Sequence, residues 1–248
     1  MGFLFRRSLT ATVPPRVDID IDGRPVAVTV RVHARAKSYR LSLPASGVPV
    51  LTMPPHGRWR EAEDFLSRQR NWLAARLKRA PGARRFADGA IVPLRGIPHR
   101  IVGRATLRGR VEIKLLGDQP ALDVPGGPEH LARRLTDWLK KQAETDLRDR
   151  VDLHANRLDV RPTAISLRSQ STRWGSCSSA GRLNFNWRLI MAPSFVLDYV
   201  AAHEVAHMVE MNHSPAFWEK VEHTLPDMAR GRAWLKAHGQ DLMAYQAG

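Results

Sequence analysis

Cysteine is nearly missing: Cys177 is the single one in 248 residues. One thiol excludes an intramolecular disulfide, so a disulfide-stapled scaffold is ruled out and a reducing compartment is expected. Long apolar runs are missing too, and nothing approaches the roughly 20 apolar residues that span a bilayer. The opening MGFLFRRSLTATVPPR has, after the initial Met, three large apolar residues before Arg6 and Arg7, short of a signal-peptide core. These absences lead to the expectation of a soluble, cytoplasmic protein with no membrane partner. Acidic residues are scarce in one part only. Residues 1–150 hold 29 Lys/Arg against 15 Asp/Glu, whereas residues 151–248 hold 10 against 9. Such asymmetry fits contact with DNA or RNA. No nucleic-acid-binding motif accompanies it, and an arginine-rich surface is the simpler account.

What is present is a succession of short strands and a few helices. Val17–Ile21 alternates with period two, Asp22-Gly23 supplies a tight turn, and Val26–Val30 completes a hairpin. Arg40–Leu43 and Val48–Met53 add strands. Apolar spacing then predicts one helix over Trp59–Arg79. Residues 89–124 return to strand character, with glycines between the segments. A long helix is predicted over Pro128–Arg157, where Leu131, Leu135, Leu139, Ala143, Leu147 and Val151 form one stripe. No internal repeat is evident. Pro125-Gly126-Gly127 marks the best boundary, giving regions 1–127 and 128–248.

The C-terminal region carries the chemistry. Ala164–Arg168 and Arg182–Met191 read as strands, separated by a Ser/Gly-rich loop or irregular hairpin over Ser169–Gly181. A helix is predicted from Pro193-Ser194, with Ser194 as its N-cap, to about Met211. Within it lies His203-Glu204-Val205-Ala206-His207. Histidines four apart stand one turn apart on one face, about 6 Å along the axis, so both imidazoles reach one tetrahedral ion. Glu204 sits too near the first ligand to join it without strain, and is suited to accept a proton from water at the ion. His213 lies beyond Asn212, where the chain turns back. Ser214-Pro215 then opens a second helix to about Leu225, whose Phe217, Trp218 and Val221 face the ligand helix. Three protein ligands leave one position open, the pattern of a catalytic zinc site. A buried histidine pair would not account for the adjacent glutamate or the third histidine.

The runs Arg173-Trp174-Gly175-Ser176-Cys177-Ser178, Leu183-Asn184-Phe185-Asn186-Trp187 and HEVAHMVEMNHSPAFW at 203–218 closely resemble the YgjP-like metallopeptidases. That family is similar to the WLM and SprT-like zinc proteases. The resemblance covers about residues 25–240. It implies zinc on His203, His207 and His213, Glu204 as catalyst, and a peptide or protein substrate. The His207-to-His213 spacing also matches metzincins, but Glu210 stands where those carry glycine. The ligand helix is therefore expected to run one turn further. Met228 reads as a core or surface methionine rather than a methionine-turn residue.

The expected fold is α+β: a β-rich, basic N-terminal part packed on a zincin-like catalytic part with an HExxH helix. The expected function is a zinc metallopeptidase. The rival is a nucleic-acid-associated protein whose basic half binds DNA or RNA, or a protease acting on DNA-bound proteins. Tyr199, Arg173, Asn212 and His223 all stand as second oxyanion donors. Leu183–Leu189 is the expected substrate-pairing edge, with Asn184 and Asn186 on its polar face or simply facing solvent. Cys177 reads as structural, and His33, His56, His99, His130, His154 and His238 as non-functional. Oligomeric state is not legible.

Overall fold

The Asp-Gly dipeptide makes the turn it predicts. Asp22 (φ 53°) and Gly23 (φ 78°) both take left-handed conformations and join β1 (Arg16–Ile21) to β2 (Arg24–Val32). This computed structural model describes residues 13–44, 47–79, 82, 84–106, 108–170 and 172–246. It divides into two compact units, Met1–Ala80 and Pro81–Gly248.

In the first unit β2 runs parallel to β4 (Val50–Met53), and β3 (Arg40–Ser42) pairs antiparallel with β4, giving the order β1-β2-β4-β3. Val28, Leu51 and Met53 are fully buried against Ala62, Leu66 and Leu73. The expected single helix is two, α1 (Trp59–Arg68) and α2 (Arg70–Arg79). Gln69 leaves helical geometry at φ −92°, ψ 2°, and its N–H is shared between the Phe65 and Leu66 carbonyls.

The second unit repeats this strand plan. Arg95 (φ 51°) and Gly96 (φ 81°) join β5 (Ile91–Leu94) to β6 (Ile97–Arg104). β6 runs parallel to β8 (Gln119–Pro125), and β7 (Glu112–Leu116) pairs antiparallel with β8. The order β5-β6-β8-β7 matches that of the first sheet, with the same senses of pairing. Leu51 and Met53 before Pro54 correspond to Leu122 and Val124 before Pro125, all buried. A repeat of architecture is therefore present where the residues show none at a glance, because strand order constrains only the alternating buried positions.

Helix α3 (Pro128–Arg157) has its predicted bounds. Its Leu131, Leu135 and Leu139 share one core with Val92, Ile101, Leu122 and Val124 of the sheet. The expected boundary at 127/128 thus falls inside the second unit, since sheet and helix bury each other's apolar faces.

A third sheet holds β9 (Ala164–Arg168), β10 (Gly175–Cys177) and β11 (Arg182–Asn186) in the order β10-β11-β9. The strand expected to reach Met191 stops at Asn186. Trp187–Met191 is a 3₁₀ turn, capped by the Asn186 side chain, which accepts the Arg188 N–H at 3.2 Å. All five residues of this turn are buried, which is why their alternation mimics a strand. Arg188 is held by donating to the Tyr245 carbonyl at 2.7 Å, with its guanidinium 4.8 Å from the Trp187 ring centroid.

Three helices complete the unit: α4 (Ser194–Ala206), α5 (Pro215–Thr224) and α6 (Met228–Met243). His154 of α3, fully buried, ties α4 and α5 together. Its Nδ1 lies 2.7 Å from Thr224 Oγ1 of α5, and its Nε2 lies 2.9 Å from Asp198 Oδ1 of α4. Helix α6 was not anticipated from the sequence, since Gly231 and Gly239 lower its helix propensity. Both glycines are contact points: a Cβ on Gly239 would lie 3.2 Å from the Trp174 indole nitrogen, and one on Gly231 would run into Tyr199. Among the described residues no helix is long and apolar enough to cross a membrane.

Candidate metal centre

Helix α4 is apolar on nearly every side, burying Val196, Leu197, Val200, Ala201, Ala202, Val205 and Ala206. His203 and His207 lie along one of the few stretches of this helix that reach solvent, both half-buried. The cap at its start is Pro193 and not Ser194, which is already helical and makes no capping bond. Its end also differs from expectation. The helix stops at Ala206 with His207 as cap, well short of Met211. The N–H groups of Met208 and Val209 bond back to Val205 and Ala206, three residues away, and this tightening closes the last turn.

The chain then reverses. The Ser214 N–H donates to Asn212 Oδ1 at 2.8 Å, and Ser214 Oγ accepts from the Phe217 N–H at 3.3 Å, starting α5 as its Ser-Pro sequence predicts. Phe217 and Val221 bury against Ala202 and Ala206. This turn holds His213 over the ligand helix.

The three histidines converge. His213 Nε2 lies 3.2 Å from His203 Nε2, and the ring centroids stand 4.7–5.1 Å apart in all three pairs. One nitrogen from each ring lies within 4.8 Å of the other two. Phe217 forms a floor beneath them, 4.4–4.9 Å from every ring. His207 Nδ1 lies 3.1 Å from the Glu210 carbonyl oxygen. A carbonyl only accepts, so Nδ1 carries the proton and Nε2 keeps its lone pair. Glu210 therefore contributes through its backbone, at the position where glycine was missed. Burial, with the two neighbouring imidazoles, pushes His203 down to about 3, and burial also lowers His207.

These groups fit a divalent cation. Neutral imidazoles presenting lone pairs to one point are the donor set of borderline-soft metals. His203 Nδ1 is buried with no hydrogen-bond partner among the described residues, so this nitrogen's position is not accounted for by a protein hydrogen bond. The three histidines form a potential ligand set without any carboxylate.

Glu204 lies outside the three-histidine set, as its position beside His203 requires, and lines the same cleft as His203. It is buried, and burial pushes its carboxyl up to about 8 against the opposing pull of Arg173. It packs on the backbone of Gly175 in β10. That cleft, of about 410 Å³, is lined by Trp174, Gly175, Tyr199, His203, Arg232 and Lys236 among others.

Of the four oxyanion donors considered, Tyr199 and Arg173 line this cleft. Asn212 is spent on the turn before α5, and His223 lies exposed in the last turn of that helix. Strand β11 is not an edge: it lies between β9 and β10, which are the two edges of this sheet among the described residues, and β10 is the one that carries Gly175 of the cleft wall. Asn186 is buried and donates to the Gln170 and Arg173 carbonyls, a structural role. Asn184 spans its neighbours, accepting from Arg168 Nε at 3.3 Å and donating to Ser176 Oγ at 3.4 Å. Met228 packs beside Ala202 and Phe217 as a core methionine. Cys177 is half-buried in β10 with its thiol pushed up by burial and by Glu204. Sequence reasoning missed Arg232 and Lys236, because α6 itself was missed.

No curated protein matches the chain. Among solved structures, it is similar to the metallopeptidase zymogen of Pyrococcus abyssi abylysin, at 19% identity and a TM-score of 0.33. The match covers 36% of this chain and 93% of that one. The YgjP-like metallopeptidase domain matches residues 37–238. Having that match over most of its length, the chain belongs to the YgjP-like metallopeptidase family.

Proposed function

We propose that this metallopeptidase is zinc-dependent, with His203, His207 and His213 holding the ion and Glu204 as its general base and acid. The observation that carries the reading is the convergence of three imidazoles beside a buried carboxylate that takes no part in their cluster. A bound zinc ion supplies Lewis acidity, acidifying water and polarising an amide carbonyl. Glu204 takes the proton of the attacking water and returns it to the leaving amine. Its desolvated setting suits the second step, since burial favours the protonated form. The Tyr199 hydroxyl, on the wall of the same cleft, donates to the developing oxyanion. The peptide lies extended along β10, an edge strand of its sheet that also carries Gly175 of the cleft wall.

The test compares wild type with Glu204→Gln. Both are expected to bind about one zinc ion per chain by elemental analysis. The variant is expected to lose about 10²–10⁴-fold in peptide turnover. Equal turnover by the two proteins, or wild type without zinc, overturns the reading.

A further inference from the structure

The cleft beside Glu204 has an uneven charge. Arg232 and Lys236 stand one turn apart on α6 and both line it. Like charges at this spacing repel, and a helix ordinarily dilutes them with carboxylates. Elsewhere in this protein it does so: Arg148 pairs with Glu144, Arg133 and Lys140 pair with Asp137, and Arg230 of α6 itself pairs with Asp227. Among the described residues Arg232 and Lys236 have no acidic partner.

Arg232 is also oriented. Its guanidinium lies 4.5 Å from the ring centroid of Trp218, the residue that flanks His203 and His213. Stacking there holds the charge beside the histidine cluster, with its in-plane N–H groups free to donate. Lys236 continues the same face, with Leu235 between them supplying an apolar wall. Among the described residues Glu204 is the cleft's only carboxylate, and Arg173 already faces it.

We propose that Arg232 and Lys236 are specificity-determining residues that select substrates bearing a carboxylate, so that the enzyme cleaves acidic peptides. This rests on the peptidase reading and deepens it. The carboxylate comes either from an Asp or Glu side chain near the scissile bond or from a free C-terminus. Arg232 binds it through paired N–H groups, and Lys236 adds a point charge one turn away.

The test uses fluorescent alanine-based decapeptides carrying Glu, Gln or Lys at each position in turn, each with a free or an amidated C-terminus. Binding is titrated to zinc-loaded Glu204→Gln protein, and cleavage is measured with zinc-loaded wild type. Glu peptides, or free-acid peptides, are expected to bind about tenfold tighter than their Gln or amidated counterparts. The ratio is expected to fall towards one in the Arg232→Gln, Lys236→Gln double variant and in high salt. The position-dependent Glu effect and the C-terminal effect tell the two sources apart. Equal binding of Glu, Gln and Lys peptides in both terminal forms overturns the proposal, as does a preference that survives the double substitution. Acid-selective binding without cleavage leaves the carboxylate site standing and removes the peptidase reading. Cleavage without acid selectivity does the reverse.

Discussion

Gly175 and Glu204 occupy adjoining space: a Cβ built on Gly175 would lie 2.6 Å from the Glu204 carboxyl carbon. The glycine is thus required by a side chain 29 positions away, and it lets β10 approach α4 closely enough to wall the cleft. Gly175→Ala is expected to displace either the carboxylate or the strand. A shift of about 1 Å at a reacting group costs on the order of 10²-fold. Turnover should fall by roughly that factor while zinc content stays near wild type, checked by peptide kinetics beside elemental analysis.

His213 is the most exposed of the three histidines and comes from a turn, whereas the other two come from one helix. His213→Ala is expected to weaken zinc binding by more than the roughly 10–100-fold typical of losing an outer-shell partner. Competition against a chromogenic chelator measures this directly. Unchanged affinity would remove His213 from the ligand set.

The His154 joint makes a prediction about stability. His154→Phe keeps a ring in place but strips Thr224 Oγ1 and Asp198 Oδ1 of their contacts at 2.7 and 2.9 Å. Asp198 keeps Arg150 at 4.0 Å and some solvent, but Thr224 is fully buried, and leaving such a group without a partner costs about 1–3 kcal/mol. A lower urea midpoint, with an unchanged slope, is the expected outcome.

Cys177 offers a pH test. Burial and the Glu204 charge both raise its thiol above the ordinary value. A raised pKa means the fold favours the neutral thiol, a stabilisation present at neutral pH and lost as pH rises through the raised value. Alkylation by iodoacetamide at pH 8 should therefore be about tenfold slower than for the chain unfolded in guanidinium, and should speed up with pH. Mass spectrometry of the modified peptide follows both rates.

Local signals were read directly. The Asp22-Gly23 turn, the α3 stripe and the Ser214-Pro215 start each depend on residues a few positions apart, and each is where its sequence puts it. So is the pairing of His203 with His207, because helical periodicity alone sets it. The approach of His213 to them is a tertiary fact foreshadowed by the turn chemistry around Asn212 and Ser214.

The misreadings share a different cause. Trp187–Met191 alternates like a strand, yet is a 3₁₀ turn because both of its sides are buried. Burial on both sides erases the period that separates strand from helix. The 127/128 boundary lies at a true turn, but that turn joins a sheet to the helix that covers it.

By itself, then, the chain determined its proposed metal ligands and most of its elements, since side-chain type and short-range spacing are written in the order of residues. Only the tertiary structure decided that β10 is an edge strand, that Glu204 rests on Gly175, and that two cations of α6 line the cleft. Those relations join residues tens of positions apart, and packing, not periodicity, brings them together.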